Sequence, residues 1–205
     1  MTLDNSTPST NIDTLRIQVL VAGKLATAIS YNMNELVKMS DGSPLTLVAW
    51  HGRNLLELTI WTEYCLQSSE NATRFAVDAV RDTDDLIQLV GPNEIEANPE
   101  TKKHIENFRL VRAGLAEEIT SEDLSQRYTD VRNAAETIGK LSDYKRGMKV
   151  FSKWAHPTAL AVMSGALPAD AENSLRIILT RSAIEMGTEA LKIVKAFTDK
   201  NRIHA

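Results

Sequence analysis

The sequence predicts an all-α protein, a single-domain bundle of about seven helices. Apolar residues recur at helical spacing through long stretches of the chain, most clearly between Asp170 and Thr198. Capping residues, glycines and prolines separate these stretches from one another. No alternating run of apolar and polar residues between turn signals indicates a strand. We therefore expect a helical domain over 11–200, with a disordered tail at 1–10 and a short tail at 201–205.

The first helix is predicted over 11–39, because its apolar residues recur every three or four positions and no proline interrupts them. Gly42, Ser43 and Pro44 end this helix and begin the next one. Glycine suits the residue after a helix, serine caps an amino terminus, and proline fits the first turn. The second helix is expected over 44–67, and a third follows over 72–90 after a break at Ser68.

Four further helices are predicted from their capping signals. Asn98, Pro99 and Glu100 begin a charged fourth helix, whose sparse apolar residues place it at the periphery. The fifth helix is expected over 120–139, the sixth over 142–163 and the seventh over 170–198. Pro157 interrupts the sixth helix, and a proline pushes the preceding residue out of the helical region. We therefore expect a kink or a restart at His156.

The charge balance and the apolar runs exclude two classes of partner. The chain carries 23 basic and 27 acidic side chains, a formal net charge of −4, and these charges are interspersed. A duplex-DNA binder normally presents a basic face, so we expect no binding to duplex DNA. No apolar run approaches the roughly 20 residues that span a membrane, so no membrane partner is expected. The polar first residues are unlike a secretory signal and the lone Cys65 can form no internal disulfide, which together predict a cytoplasmic protein.

A pair of charged side chains on the second helix is the first candidate for a functional site. Arg53 and Glu57 are four residues apart and therefore share one helix face, near Trp61 and Tyr64. The guanidinium could clamp a phosphate or a carboxylate, and the glutamate could orient it or act as a base. The alternative is structural, because intrahelical ion pairs of this spacing are common.

The sixth helix supplies the second candidate. Tyr144 lies on its apolar face, and Ser152 and His156 are four residues apart on a neighbouring polar face. His156 could act as a general acid or base, since an imidazole changes its charge near neutral pH. Alternatively, His156 hydrogen-bonds the backbone carbonyls that a kink at Pro157 releases.

No metal ion or cofactor is predicted. Asp78, Asp82 and Asp85 follow a spacing that aligns three carboxylates, which are ligands for magnesium. No second acidic motif accompanies them, so a solvated helix face is the preferred interpretation. The histidines lack the paired spacing of a zinc site, and the chain contains no glycine-rich phosphate loop.

Several short segments together resemble a known bacterial pattern. They are Arg53-Asn54-Leu55-Leu56-Glu57, the Tyr64 segment followed by Ala72-Thr73-Arg74-Phe75, and the run Ala135-Glu136-Thr137-Ile138-Gly139 leading through Tyr144 to Phe151-Ser152-Lys153-Trp154-Ala155-His156-Pro157-Thr158. The pattern resembles an all-helical family, the domain of unknown function numbered five-six-seven-seven, and it spans Trp50 to Thr158. This resemblance implies a fold more than an activity.

A weaker comparison is with helical domains of the HEPN type. Such domains are often metal-independent ribonucleases, which use an arginine and a histidine that lie close together on one helix. That motif is absent from this chain, so the resemblance implies nuclease activity only if Arg53 and His156 meet from different helices.

Three functional hypotheses follow from these residues. The first is a cytoplasmic interaction or ligand-binding domain, whose cleft between the second and sixth helices is lined by Arg53, Glu57, Tyr144, Ser152 and His156. The second is a metal-independent ribonuclease in stress or phage defence, with His156 as acid or base and Arg53 stabilising the phosphorane charge. The third makes the cluster a buried network in a homodimer. The sequence leaves open whether the protein is an enzyme, and whether RNA or a second copy is its partner.

Overall fold

The computed structural model describes residues 10–39, 43–91, 95, 97–116, 119, 123, 128–156, 158, 162 and 168–202. Within these residues the chain is all-α, with seven helices and no strand, which confirms the predicted fold class. In chain order the helices are α1 (Thr10–Lys38), α2 (Leu45–Gln67), α3 (Ser69–Leu89), α4 (Pro99–Ala116), α5 (Val131–Thr137), α6 (Leu141–Ala155) and α7 (Ala169–Arg202). None of these described helices combines the length and the apolar character needed to cross a membrane.

Side chains placed just before three helices hold their first turns. Ser68, Asn98 and Asp130 accept hydrogen bonds from the first backbone N–H groups of α3, α4 and α5, at 3.2, 2.9 and 2.7 Å. No carbonyl within a helix can satisfy these N–H groups. The three caps therefore fix where α3, α4 and α5 begin.

The fifth helix begins later than predicted, and the sixth ends where a break was expected. Residues 128–130 are not helical, and α5 begins at Val131 because Asp130 caps it. Most of the earlier part of the predicted fifth helix lies outside the described residues. α6 ends at Ala155, because His156 adopts an extended backbone with φ −117° and ψ 158° ahead of Pro157.

The ends of the chain fall largely outside the description. The tails predicted at 1–10 and 201–205 lie there, apart from Thr10, Asn201 and Arg202, which belong to the first and last helices. Most of the predicted continuation of the sixth helix to Met163 also lies there. α7 extends four residues beyond the predicted end at Thr198.

α2 is the central helix of the larger of two compact units, which comprises Val19–Gln67 and Asp130–Ala205. It packs mainly against α7 and α6, and also against α5. Its side chains that form the core are almost fully buried; they include Val48, Leu55, Ile60, Tyr64 and Cys65. Burial raises the pKa of the Cys65 thiol, so the thiol stays protonated, and it forms no disulfide.

Two glycines allow the close antiparallel approach of α2 and α6. A Cβ added at Gly52 of α2 would collide with the Phe151 ring of α6. A Cβ added at Gly147 of α6 would lie 2.7 Å from Leu56 Cδ2 of α2. Gly52 of α2 therefore contacts Phe151 of α6, while Leu56, later in α2, contacts Gly147, earlier in α6. The two helices are antiparallel, and the first turns of α2 lie beside the end of α6.

The smaller unit comprises Met1–Gln18 and Ser68–Thr129, and it contains α3 and α4. α4 packs on α3 through Ile105, which is 2% exposed, and Arg112 of α4 forms an ion pair with Asp84 of α3. Most other described side chains of α4 are exposed. This exposure agrees with the peripheral position predicted for the fourth helix.

The interpretation of three aspartates as a solvated face is wrong for Asp78. Its side chain is buried, and its carboxylate accepts hydrogen bonds from Arg81 at 3.1 Å and from the Thr129 backbone N–H at 3.0 Å. Burial raises the pKa of Asp78, and these two hydrogen bonds oppose that rise. Asp82 and Asp85 are exposed, and no group of described acidic, histidine or cysteine side chains is arranged to hold a metal ion.

Candidate functional site

His156 lies immediately after α6, in a turn that hydrogen bonds hold. The Thr158 hydroxyl donates to the Lys153 carbonyl at 2.7 Å, and the Thr158 backbone N–H donates to the His156 carbonyl at 2.7 Å. The hydroxyl thus satisfies a carbonyl that the end of a helix leaves without a partner. The His156 side chain was the residue expected in this role, but its imidazole instead contacts Arg53 of α2.

The contact between Arg53 and His156 joins the two candidate segments. Arg53 Nη1 lies 2.6 Å from His156 Nε2. A guanidinium has only N–H donors, so Nε2 accepts this hydrogen bond. The imidazole is therefore the neutral tautomer with its proton on Nδ1. Arg53 and His156 meet from different helices, as the ribonuclease hypothesis requires.

Glu57 holds the same guanidinium from its other side. Arg53 Nε donates to Glu57 Oε1 at 3.0 Å, and the two side chains are 30% and 26% exposed. The cluster is therefore half-exposed in the single chain. The remaining Nη N–H groups of Arg53 have no partner in the described part of the chain. A guanidinium that is oriented in this way, with free N–H groups at a surface, can bind a phosphate or a carboxylate in bidentate fashion.

Tyr144 of α6 lies within electrostatic reach of this pair. Burial raises the pKa of its hydroxyl, Glu57 raises it further, and Arg53 lowers it. Asp130 and Arg132, at the start of α5, also act on this hydroxyl. The sequence did not point to Arg132, because only the packing of α5 on α2 brings it near the other residues.

The remaining predicted site residues lie apart from the Arg53 guanidinium. Ser152 is half-buried one turn before His156 and makes no hydrogen bond to the described residues of the cluster. Trp61 lies two turns beyond Arg53, about 12 Å along the helix axis. Tyr64 is 1% exposed, and its ring meets that of Trp61 edge-on with 5.8 Å between centroids. Tyr64 is therefore a core residue in this structure.

A second polar cluster, which the sequence did not single out, joins α1 to α2. His51 Nδ1 lies 2.9 Å from Asn32 Oδ1, which also accepts a hydrogen bond from Asn54 Nδ2 at 3.2 Å. The Asn32 amide donates in turn to the Ala28 carbonyl at 2.9 Å. His51 is 4% exposed, and burial lowers its pKa against the opposing charge of Glu35. Asn32 and His51 are buried and Asn54 is half-buried, and these hydrogen bonds hold α1 against α2.

Comparisons with protein-family models, with curated proteins and with solved structures find no match to the chain. The resemblance to a helical family of unknown function stays a prediction. The geometry of the residues is therefore the basis for inferring a function.

Proposed function

We propose that this chain is a ligand-binding helical protein, which holds an anionic group in the cleft between α2 and α6. The observation that carries the proposal is the placement of the Arg53 guanidinium between Glu57 Oε1, at 3.0 Å, and His156 Nε2, at 2.6 Å. Holding the guanidinium on two sides reduces the entropy lost on binding, and its free N–H groups match the oxygens of a phosphate or carboxylate.

The charges near Arg53 favour an anion over a cation. Glu57 balances Arg53, while Lys149 and Lys153 of α6 are exposed and pair with no carboxylate of the described residues. Both lysines lie two residues from Phe151, which packs on α2 at Gly52, so they project from the far face of α6 and add positive charge to this end of the helix pair without contacting Arg53. Local positive charge raises the concentration of anions at a surface even when the whole protein is slightly acidic.

The test compares Arg53 with a matched pair elsewhere in the chain. Arg181 Nε of α7 donates to Glu185 Oε1 at 2.9 Å with the same four-residue spacing, but no histidine completes the arrangement. Calorimetric titration with inorganic phosphate should detect binding to the unmodified protein and to Arg181→Ala. Arg53→Ala should weaken binding roughly tenfold or more, since a hydrogen bond to a charged group contributes about 1.5–3 kcal/mol.

Two results would contradict the proposal. The first is the absence of binding to the unmodified protein by phosphate and by small carboxylates. The second is an Arg53→Ala variant that binds as tightly as Arg181→Ala.

A metal-independent ribonuclease is the second candidate function, and the meeting of Arg53 with His156 is the observation that favours it. In such a reaction His156 transfers a proton and Arg53 stabilises the developing phosphorane charge. The Arg53 N–H occupies the lone pair of Nε2, so the guanidinium must turn to the phosphate before His156 can accept a proton. Cleavage of RNA by the unmodified protein should continue in the presence of a chelator. The His156→Ala variant should not cleave RNA, whereas His104→Ala should cleave it as the unmodified protein does. Binding of phosphate without RNA cleavage supports the first proposal alone.

We propose in addition that the protein is cytoplasmic. Cys65 is the single cysteine of the chain, and its thiol is buried and forms no disulfide. Disulfides form and persist in oxidising compartments, whereas free thiols are usual in reducing ones. Support for this location rests on that thiol.

A further inference from the structure

Trp50 is a large aromatic residue that stays exposed next to the proposed site. It is 46% exposed and lies three residues before Arg53 on α2. Residues three apart on a helix are neighbours on one face, about 4.5 Å apart along the axis. Its ring meets the His51 ring edge-on, with 4.8 Å between centroids and an angle of 82°. This contact steadies the indole and still leaves much of it open to a ligand.

The register of α2 against α6 brings the end of α6 to the level of Trp50. The contact of Gly52 with Phe151 fixes the register of these antiparallel helices. His156 follows α6, and its Nε2 lies 2.6 Å from Arg53 Nη1. An exposed aromatic ring, a guanidinium and an imidazole therefore lie at one end of the helix pair.

From this juxtaposition we infer that the anionic ligand is a nucleotide, with its phosphate on Arg53 beside His156 and its base stacked on Trp50. Single exposed apolar residues are ordinary on protein surfaces. An exposed indole one turn from an oriented guanidinium is different, because it offers a stacking surface and a phosphate contact within the span of one nucleotide. A free mononucleotide and a unit of single-stranded RNA present the same phosphate and base. The inference rests on the proposed function, since the phosphate must first bind Arg53.

The experiment separates the contribution of the base from that of the phosphate. Calorimetric titrations use adenosine monophosphate and ribose 5-phosphate, which carry the same phosphate and sugar but differ in the base. The unmodified protein should bind adenosine monophosphate about tenfold more tightly, as expected for one stacked base. Trp50→Leu should remove that difference and leave the affinity for ribose 5-phosphate unchanged. Phe108→Leu, which changes another exposed aromatic residue on α4, should keep the difference.

The outcomes distinguish the two proposals. If ribose 5-phosphate binds through Arg53 but the base adds no affinity, the nucleotide inference is overturned and the proposed function stands. If neither compound binds the unmodified protein, both are overturned. Should Trp50→Leu fail to fold, as judged by circular dichroism, Trp50→Phe replaces it, and its retained ring should preserve most of the base-dependent affinity.

A third titration, with a short single-stranded oligoadenylate, distinguishes the source of the nucleotide. Affinity above that of the monophosphate indicates a single strand, whereas equal affinity indicates a free nucleotide, and either result supports the inference. Weaker or absent binding of the oligoadenylate, with base-dependent binding of the monophosphate retained, likewise indicates a free nucleotide.

Discussion

Arg53 bonds to two side chains at a surface that remains open to water. Ion pairs between partly exposed groups contribute about 0–1 kcal/mol, whereas loss of a partner from a buried pair costs about 3–5 kcal/mol. We therefore expect Arg53→Ala to lower the free energy of unfolding by less than about 1 kcal/mol, measured by urea denaturation. Arg181→Ala is the control and should lower it by less still, because its pair is more exposed. A loss of about 3 kcal/mol in Arg53→Ala would identify the cluster as a structural tether instead.

The hydrogen bond from Arg53 also fixes the tautomer of His156. Because Nη1 donates to Nε2, the imidazole proton lies on Nδ1 at pH values where the ring is neutral. Nitrogen-15 chemical shifts of the His156 ring should show a protonated Nδ1 and an unprotonated Nε2. Arg53→Ala should remove this preference. Observation of a protonated Nε2 in the unmodified protein at neutral pH would show that the contact is absent in solution.

His51 links stability to pH through its burial. The unfolded chain has the ordinary histidine pKa of about 6.5, while burial lowers the pKa in the folded chain. The unfolded chain therefore takes up the proton first as the pH falls. The stabilisation is complete above about pH 6.5 and declines as the pH falls through that value toward the lower folded pKa.

His51→Gln should consequently reduce the loss of unfolding free energy between about pH 7.5 and about pH 5.5. Denaturation curves at the two pH values measure this loss. His104→Gln, which changes an exposed histidine, should behave as the unmodified protein. An equal loss in His51→Gln and His104→Gln would show that His51 has no such effect.

At the scale of helices, the glycines of α2 and α6 control whether the site assembles. A methyl group at Gly52 would overlap the Phe151 ring, so Gly52→Ala should lower the free energy of unfolding by about 1–3 kcal/mol. Gly23 of α1 is exposed and has no atom within 4 Å of an added Cβ, so Gly23→Ala should raise it by about 0.5–1 kcal/mol. Urea denaturation of both variants tests the opposite signs. Equal effects would mean that helix propensity, and not the contact with Phe151, decides the result at Gly52.

Helix boundaries could be predicted where the deciding chemistry lies in neighbouring residues. Asn98 and Pro99 mark the start of α4, and Pro157 forces the extended backbone at His156. The fifth helix was placed too early because Thr120 and Ser121 also carry a capping pattern, whereas Asp130 supplies the cap that the structure uses. Local sequence patterns identify candidate capping residues, but they do not show which of two candidates begins the helix.

The meeting of Arg53 with His156 lay beyond such patterns, although both residues were selected from the sequence. Their contact depends on the antiparallel register of α2 and α6, which the fit of Phe151 against Gly52 determines. The burial of Asp78 was missed for a similar reason, since its partner Thr129 is distant in sequence. Contacts between residues that are distant in the sequence depend on how the helices pack, and local sequence patterns do not determine that packing.

For the whole molecule, the two units differ in how much of each helix is enclosed. α2 has many fully buried side chains, whereas Ile105 is the buried residue among the described side chains of α4. Local opening exposes amides most readily where few apolar contacts are lost. Hydrogen–deuterium exchange should therefore be much faster in peptides covering Pro99–Ala116 than in those covering Leu45–Gln67. Similar protection of both peptides would show that α4 is held more firmly than its exposure indicates.

The buried thiol of Cys65 can serve as a chemical probe of how often the central helix opens. Its thiol is 0% exposed and stays protonated, so a maleimide or disulfide reagent cannot reach a reactive thiolate while α2 remains packed. Since it is the single cysteine, one covalent adduct per molecule records the first opening of the central helix that the reagent captures. The rate of labelling would therefore rank the stability of any variant under native conditions, without denaturant and without an attached reporter.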